Sequence, residues 1–464
     1  MENHIEKNLI KFNVLQHILK YTAPIYLIHL VSIFSYFSSA YFISCLGKNQ
    51  IAAFAIANTY FVFISVFMTA TLNTISMTLG KYGLKKSTKL VKHVIFNGFL
   101  LTLMLSAFGT VLLWNGMHVL ILLGQPFDLA LCTTQYFHYA ALSITPFLLN
   151  SLISQICIGL GKPELNRAQC WIKLPLIIGL SYLLILEKKQ GIAGASLALL
   201  LTNLLILPAT YFLLKTSNIG MCIHLKTLKL GCCLRIKQLF NSGVYIGCQF
   251  SGELGAVLFF LFLMGHFGKD ALVSTQITSQ YSIFLLIGSL SVSQGLSSSI
   301  SEYVGFGYTK ELSVKSYTNT ACYFLLLIIT LWSLFYLLIP VQLMSFFINV
   351  TDADNTQLIH LTKSMLIASI PILFMDGLRN ILTGSLRGLG NTRTPMIIDT
   401  LGLWFAGLPL SYFFGFTMGY GPVGLRFGFM LGYFVSAMNL LILYRKIIAD
   451  KFQTFAVCKK QVSE

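Results

Sequence analysis

The amino-acid sequence predicts an all-α membrane protein of twelve transmembrane helices arranged as two repeated halves. Three observations carry that expectation. Of its 464 residues, 56% are hydrophobic and only 10% charged, with a mean hydropathy of +0.76. A soluble chain carries roughly a quarter charged residues, so this surface is built to meet lipid. Twelve apolar runs are each long enough, or nearly so, to cross a hydrocarbon core, which takes about 20 residues of helix. The second half then repeats landmarks of the first in the same order.

The chain opens on MENHIEKNLIKFNVLQHILK, residues 1–20, which is polar and amphipathic and lacks a small-residue cleavage site. It reads as a cytoplasmic lead-in rather than a signal peptide. Apolar runs follow at 21–46, 51–79, 94–123, 131–160, 171–186 and 192–214. A basic stretch, 215–238, separates them from runs at 239–266, 271–300, 317–348, 362–386, 396–418 and 422–444, and a tail covers 448–464. The run 171–186 is the shortest. Pro24, Pro146, Pro175, Pro208, Pro371 and Pro409 lie inside runs, where neighbouring helices can re-satisfy the carbonyls a proline frees. The expected domains are an N-terminal six-helix lobe (1–214), the linker 215–238 and a C-terminal lobe (239–447).

The net charge of +17 is topological. With both ends placed in the cytoplasm, the inside segments hold 25 Lys and Arg and the outside loops hold 5: Lys48, Lys188, Lys189, Lys269 and Lys363. Such asymmetry orients a multi-pass chain in a plasma or bacterial inner membrane. The basic residues lie in short stretches between runs rather than in one aromatic-laced patch, which argues against nucleic acid. Ten scattered cysteines show no paired spacing with histidine, so no zinc site and no cofactor are expected.

The repeat is visible in three anchors. LGKNQIAAFAIANTYFVF (46–63) matches FGKDALVSTQITSQYSIF (267–284) at an offset of 221, GLGKP (159–163) matches GLGNT (388–392) at 229, and GIAGA (191–195) matches GPVGL (421–425) at 230. Six helices per half is an even number, so the halves are parallel repeats. Folds of that kind place a binding cavity between the halves and rock around it.

Charge inside the runs marks the candidate site. Glu253 and Asp376 are the acids nearest mid-span; Glu302 and Asp399 fall within about a turn of a span end. An acid at mid-bilayer costs about 2.5–3.5 kcal/mol on insertion scales and usually faces a bundle interior or wet cavity. Positions 32 and 147, the repeat counterparts, are Ser32 and Phe147, so the acids are confined to one half. If the two carboxylates share a cavity, they titrate as a pair and can hold H⁺ or Na⁺. The plainer reading of Asp376 is a local salt bridge to Arg379, three residues on and on the same helical face. A third reading joins the two, with Arg379 as a counter-charge released during a cycle. Gln249 lies on the face of Glu253, and Gln276, Gln280 and Tyr281 lie along the following run, where they line a cavity or make ordinary interhelical contacts.

SLRGLGNTRTP (385–395) with LWFAGLPLSYFFGFTMGYGPVGLRFG (403–428), GVYIGCQFSGELG (243–255) and LGKNQIAAFAIANTYF (46–61) resemble the multidrug and toxic compound extrusion (MATE) transporters, in particular the NorM-like branch of the multidrug/oligosaccharidyl-lipid/polysaccharide flippase superfamily. The resemblance implies a V-shaped bundle of two six-helix lobes, and the chain is expected to be a monomer. It also implies export of small organic, mainly cationic, substrates by alternating access, driven by H⁺ or Na⁺ antiport, with Glu253 and Asp376 as the coupling acids. Three departures stand out: Ser39 replaces an acid expected in the first helix, no Asn is evident in 173–184, and Ile372 replaces a Tyr. A lipid-linked oligosaccharide or peptidoglycan-precursor flippase is the alternative within the superfamily. A channel fits the doubled pattern less well, and an enzyme is not expected, since no HExxH or GxSxG appears.

Overall fold

The computed structural model describes residues 2–46, 48–86, 88–122, 127–216, 233–305, 311–345, 347 and 356–463. Among them there is no β-strand. Twelve helices are long and apolar enough to cross a membrane, and we label them in order: α1 (Glu2–Ser44), α2 (Lys48–Lys86), α3 (Thr88–Trp114), α4 (Thr134–Gly159), α5 (Glu164–Glu187), α6 (Gly191–Thr216), α7 (Cys233–Gly265), α8 (Lys269–Gly305), α9 (Glu311–Leu338), α10 (Thr356–Gly388), α11 (Arg393–Thr417) and α12 (Gly421–Ser463). The chain is an integral multi-pass membrane protein. Phe108, Leu122, Phe262, Tyr323, Leu338, Phe405 and Ile442 lie more than half exposed, which water would penalise and acyl chains would not.

Two spans end sooner than their hydropathy suggests. The run 94–123 stops at Trp114 and continues as a short helix, Gly116–Leu122; the run 317–348 stops at Leu338 and continues as Pro340–Ser345. The first break sits at Gly116, where a Cβ would fall 2.8 Å from the Phe137 ring. The second sits at Pro340, which opens the short helix without needing an amide partner. The shortest run, 171–186, is extended at its N-terminal end to Glu164, because Pro163 starts the helix before the apolar residues begin.

The sequence anchors are structural equivalents. α4 closes with Gly161 at φ +75° while the Lys162 amide reaches back to the Cys157 carbonyl, 2.9 Å. α10 closes with Gly390 at φ +93° while the Asn391 amide reaches the Leu386 carbonyl, 3.0 Å. Both are glycine-dependent helix ends with a six-to-one backbone bond. The C-terminal turns of α5 and α11 also match: π-helical segments at Leu183–Glu187 and Phe413–Thr417 fall at the same place in each half. Gly191 and Gly421 then open α6 and α12 at φ +60° and +61°.

The chain divides into two compact units, Ala23–Ser251 and Met1–Thr22 with Gly252–Glu464. The division falls inside α1 and α7. Of the expected linker 215–238, residues 217–232 lie outside the described residues, and Arg235 and Lys237 already belong to α7. The core of the first unit is built on α2, α3 and α4 around Met68, Leu72, Leu101, Phe137 and Ile144. The second unit packs α8, α9, α10 and α12 around Leu296, Leu325, Tyr336, Leu366 and Leu440, with Ile18 of α1 among them.

Candidate functional site

The second unit is stitched by small residues. A Cβ on Gly384 of α10 would sit 2.4 Å from the Ser293 carbonyl of α8, and one on Gly388 would sit 2.9 Å from the Ser297 carbonyl. Only glycine permits that approach, the small-residue packing that membrane helices use in place of a hydrophobic drive. Ser293 donates to the Asn380 carbonyl, 2.6 Å, and Ser301 to the Gly388 carbonyl, 3.1 Å. This seam fixes the register of α8 against α10, and with it the polar side chains one to two turns beyond Gly384.

Glu253 is placed from the other side. Gly252 and Gly255 of α7 lie close to Thr400 and Trp404 of α11, and the Trp404 indole donates to the Gly252 carbonyl, 2.9 Å. The backbone beside Glu253 is thereby tied to α11, and its side chain turns toward α10.

There it meets Arg379. The guanidinium Nη2 donates to Glu253 Oε1 at 2.7 Å and to Asp376 Oδ1 at 2.6 Å, while Nε donates to the same Asp376 oxygen at 3.2 Å. Nη1 lies 3.3 Å from Asp399 Oδ2 of α11. The other Asp376 oxygen accepts from Asn380 Nδ2 at 3.0 Å and Ser289 Oγ of α8 at 3.4 Å. Thr383 Oγ1 donates to Asp399 at 3.3 Å. The face of Tyr433 from α12 lies 5.1 Å from the guanidinium carbon. Five helices therefore contribute side chains to one cluster around this cation. Arg379 is 0% exposed, Asp376 1% and Asp399 2%, whereas the Glu253 side chain keeps 20% of its surface. Glu253 is thus the accessible edge of an otherwise closed cluster. An unpaired charge is prohibitively costly at such depth, and mutual pairing with added hydrogen bonds is what makes four of them tolerable together.

The two acids expected from sequence do meet, but through Arg379 rather than across an open space. The local Asp376–Arg379 bridge is present, and Glu253 joins it through the same guanidinium. Asp399 was missed. It lies six residues into α11, about 9 Å from the helix start, and Arg379, nine residues before the end of α10, reaches it. Charge counting gives no signal for it, since the two mid-span acids already outnumber the one arginine and a third acid adds to the excess. Arg387 is a further buried cation of α10. It belongs to the last turn of α10 and is buried, so among the described residues the buried arginines of the second unit are Arg379, Arg387 and Arg426. Arg426 donates to Ser369 and to the Met365 carbonyl.

The remaining candidates fall elsewhere. Gln249 is buried in the first unit, on the other side of the division within α7 from Glu253. Gln280 and Gln276 precede Ser289 on α8 by nine and thirteen residues, about 14 and 20 Å along the axis, and Gln276 is exposed. Tyr281 donates to the Leu343 carbonyl, 2.6 Å, and meets Phe347 edge-on, so it fastens α8 to the segment after α9. Among the described residues no group of three His, Cys, Asp or Glu has the geometry to hold a metal; the guanidinium fills the space between the acids.

The MatE family model matches residues 24–183 and 250–413, one stretch in each half. The chain belongs to the MatE family. Curated relatives are probable multidrug resistance proteins NorM: that of Brucella suis is 23% identical over 418 residues, covering 88% of either chain, and that of Pseudomonas putida is 22% identical, covering 92% and 93%. Solved structures agree in fold. A MATE crystal structure in the bent conformation superposes with a TM-score of 0.82 at 15% identity, covering 97% of this chain and 98% of that one. A mutant of the Vibrio cholerae MATE transporter VcmN gives 0.80 at 17% identity, covering 95% and 99%. This MatE chain therefore shares the all-helical fold of those transporters over nearly its whole length, and its relatives are named as transporters, not enzymes.

Proposed function

We propose that this MatE protein is a cation-coupled secondary antiporter that exports small organic cations and drugs by alternating access, exchanging H⁺ or Na⁺ on Glu253 and Asp376. One observation carries the reading: mid-span acids from separate helices converge on a single buried guanidinium, with only Glu253 retaining surface. Such a cluster changes its charge balance when one cation arrives or leaves, and that is the elementary act of coupling. Each pH unit contributes about 1.4 kcal/mol and each charge moved about 2.3 kcal/mol per 100 mV, enough together for moderate accumulation. The relatives' names, all multidrug resistance proteins, favour drug-like substrates. The charge asymmetry favours an inner or plasma membrane with both termini cytoplasmic, and the chain works as a monomer. A flippase for lipid diphosphates is disfavoured, because Arg379 is consumed by carboxylates and offers no free cationic surface.

Ethidium efflux in inverted vesicles under an imposed ΔpH or ΔNa⁺ tests this. Wild type should accumulate ethidium with a gradient, and Glu253→Gln and Asp376→Asn should each lower that component at least tenfold. Undiminished gradient-driven uptake in both variants would refute the assignment.

A further inference from the structure

We propose that Arg379 occupies the seat a sodium ion would need in the acid cluster, that Asp399 holds it there, and that this chain consequently excludes Na⁺ from Glu253 and Asp376. The inference rests on the reading of those two acids as the coupling site and concerns which ion they admit.

The argument is one of position. Nη2 of Arg379 lies 2.7 Å from Glu253 Oε1 and 2.6 Å from Asp376 Oδ1. A hard cation bridging one oxygen of each acid sits about 2.3–2.6 Å from both, which is the place the nitrogen already fills. The alternative oxygen of Asp376 is not open either, since Asn380 and Ser289 donate to it. Sodium can enter only if the guanidinium leaves, and every neighbour holds it in. Glu253 grips it from α7, Asp376 from α10 and Asp399 from α11, with the Tyr433 ring of α12 across its face. Arg387, eight residues further along α10, is a second buried cation of the same helix. Two cations in that volume would repel at low dielectric.

Asp399 is the positioning residue. Its Oδ2 lies 3.3 Å from Nη1, on the side of the guanidinium away from Glu253 and Asp376, an ion pair rather than a hydrogen bond, and Thr383 donates to it, so its carboxylate is itself held. When either coupling acid is neutralised, Asp399 keeps the guanidinium compensated and in place. Arg379 and Asp399 are then a charge-neutral insertion into a two-acid site. Deleting both preserves the net charge and vacates a space of ionic size.

The test is saturable radiosodium binding to the full chain in lipid nanodiscs. Wild type should bind no more than Glu253→Gln/Asp376→Asn. The charge-balanced double variant Arg379→Gln/Asp399→Asn should gain a single saturable site, lost again when Glu253→Gln is added, while Arg379→Lys should still exclude sodium. Wild-type binding that Glu253→Gln removes overturns the proposal, as does a double variant that unfolds at a normal temperature yet binds no sodium. Should the double variant fail to fold, the wild-type comparison decides alone. A separate arm measures ΔpH-driven ethidium flux in proteoliposomes of wild type and Glu253→Gln. Intact flux in that variant removes the coupling role without touching the sodium result, so the two failures are told apart.

Discussion

Replacing Arg379 with alanine strips the shared counter-charge from Glu253, Asp376 and Asp399 at once, two of which are almost fully buried. Breaking a buried pair by removing one partner typically costs about 3–5 kcal/mol, so Arg379→Ala should lower the unfolding temperature in detergent more than any single acid-to-amide change in the cluster. Adding Asp399→Asn should recover part of the loss. A double-mutant cycle on Arg379 and Asp399 should give a coupling of about 1–3 kcal/mol, and a value near zero would place Asp399 outside the network. The Asp376–Arg379 contact was legible in the sequence, because residues three apart on a helix share a face. Asp399 was not, because depth was counted from the edge of a hydropathy run that begins at 396. The helix begins at Arg393, and a side chain as long as arginine's erases a turn or two of difference in depth between neighbouring helices.

At the scale of the element, the paired helix ends make a prediction that the repeat supplies. Lys189 has φ +53°, the one non-glycine residue with positive φ among the described residues, and its repeat equivalent is Gly419 at φ +74°. A side chain in that region costs roughly 1–2 kcal/mol, partly offset by the extra freedom glycine has when unfolded. Lys189→Gly should therefore be neutral or stabilising by up to about 1 kcal/mol, whereas Gly419→Ala should destabilise by about 1 kcal/mol, read from thermal unfolding of the two variants. The α8–α10 seam predicts a larger effect. Gly384→Ala drives a methyl into the Ser293 carbonyl, and overpacking of that kind costs about 1–3 kcal/mol. It should also shift Ser289 and Asn380, so gradient-driven efflux should fall along with stability. The glycines were visible in the sequence as turn signals at GLGK and GLGN. The service of Gly384 in close helix approach was not, because that depends on which carbonyl of α8 lies opposite.

For the whole molecule, the count of spans and their order were legible in the sequence, though not every boundary, since lipid imposes a length and composition that each helix must meet separately. The orientation makes the corresponding prediction. In a background lacking the ten native cysteines, single cysteines at Lys188 or Lys269 should react with an impermeant maleimide from outside the cell. Those at Arg393 or Lys446 should react only after permeabilisation. Labelling at Arg393 from outside would invert the topology. The division into compact units, by contrast, cuts α1 after Thr22 and α7 after Ser251, where hydropathy runs without a break. His17 and Tyr21 of α1 contact Glu302 of α8, at 3.3 and 2.6 Å, well over two hundred residues away in the chain. The amino-acid sequence by itself determined that the protein is a twelve-helix membrane bundle with a doubled pattern and charge held inside its second half, because hydropathy, periodicity and charge bias act locally along the chain. Tertiary structure alone decided that three acids share one arginine, because ion pairing between helices depends on register and reach across space, which no one-dimensional pattern records.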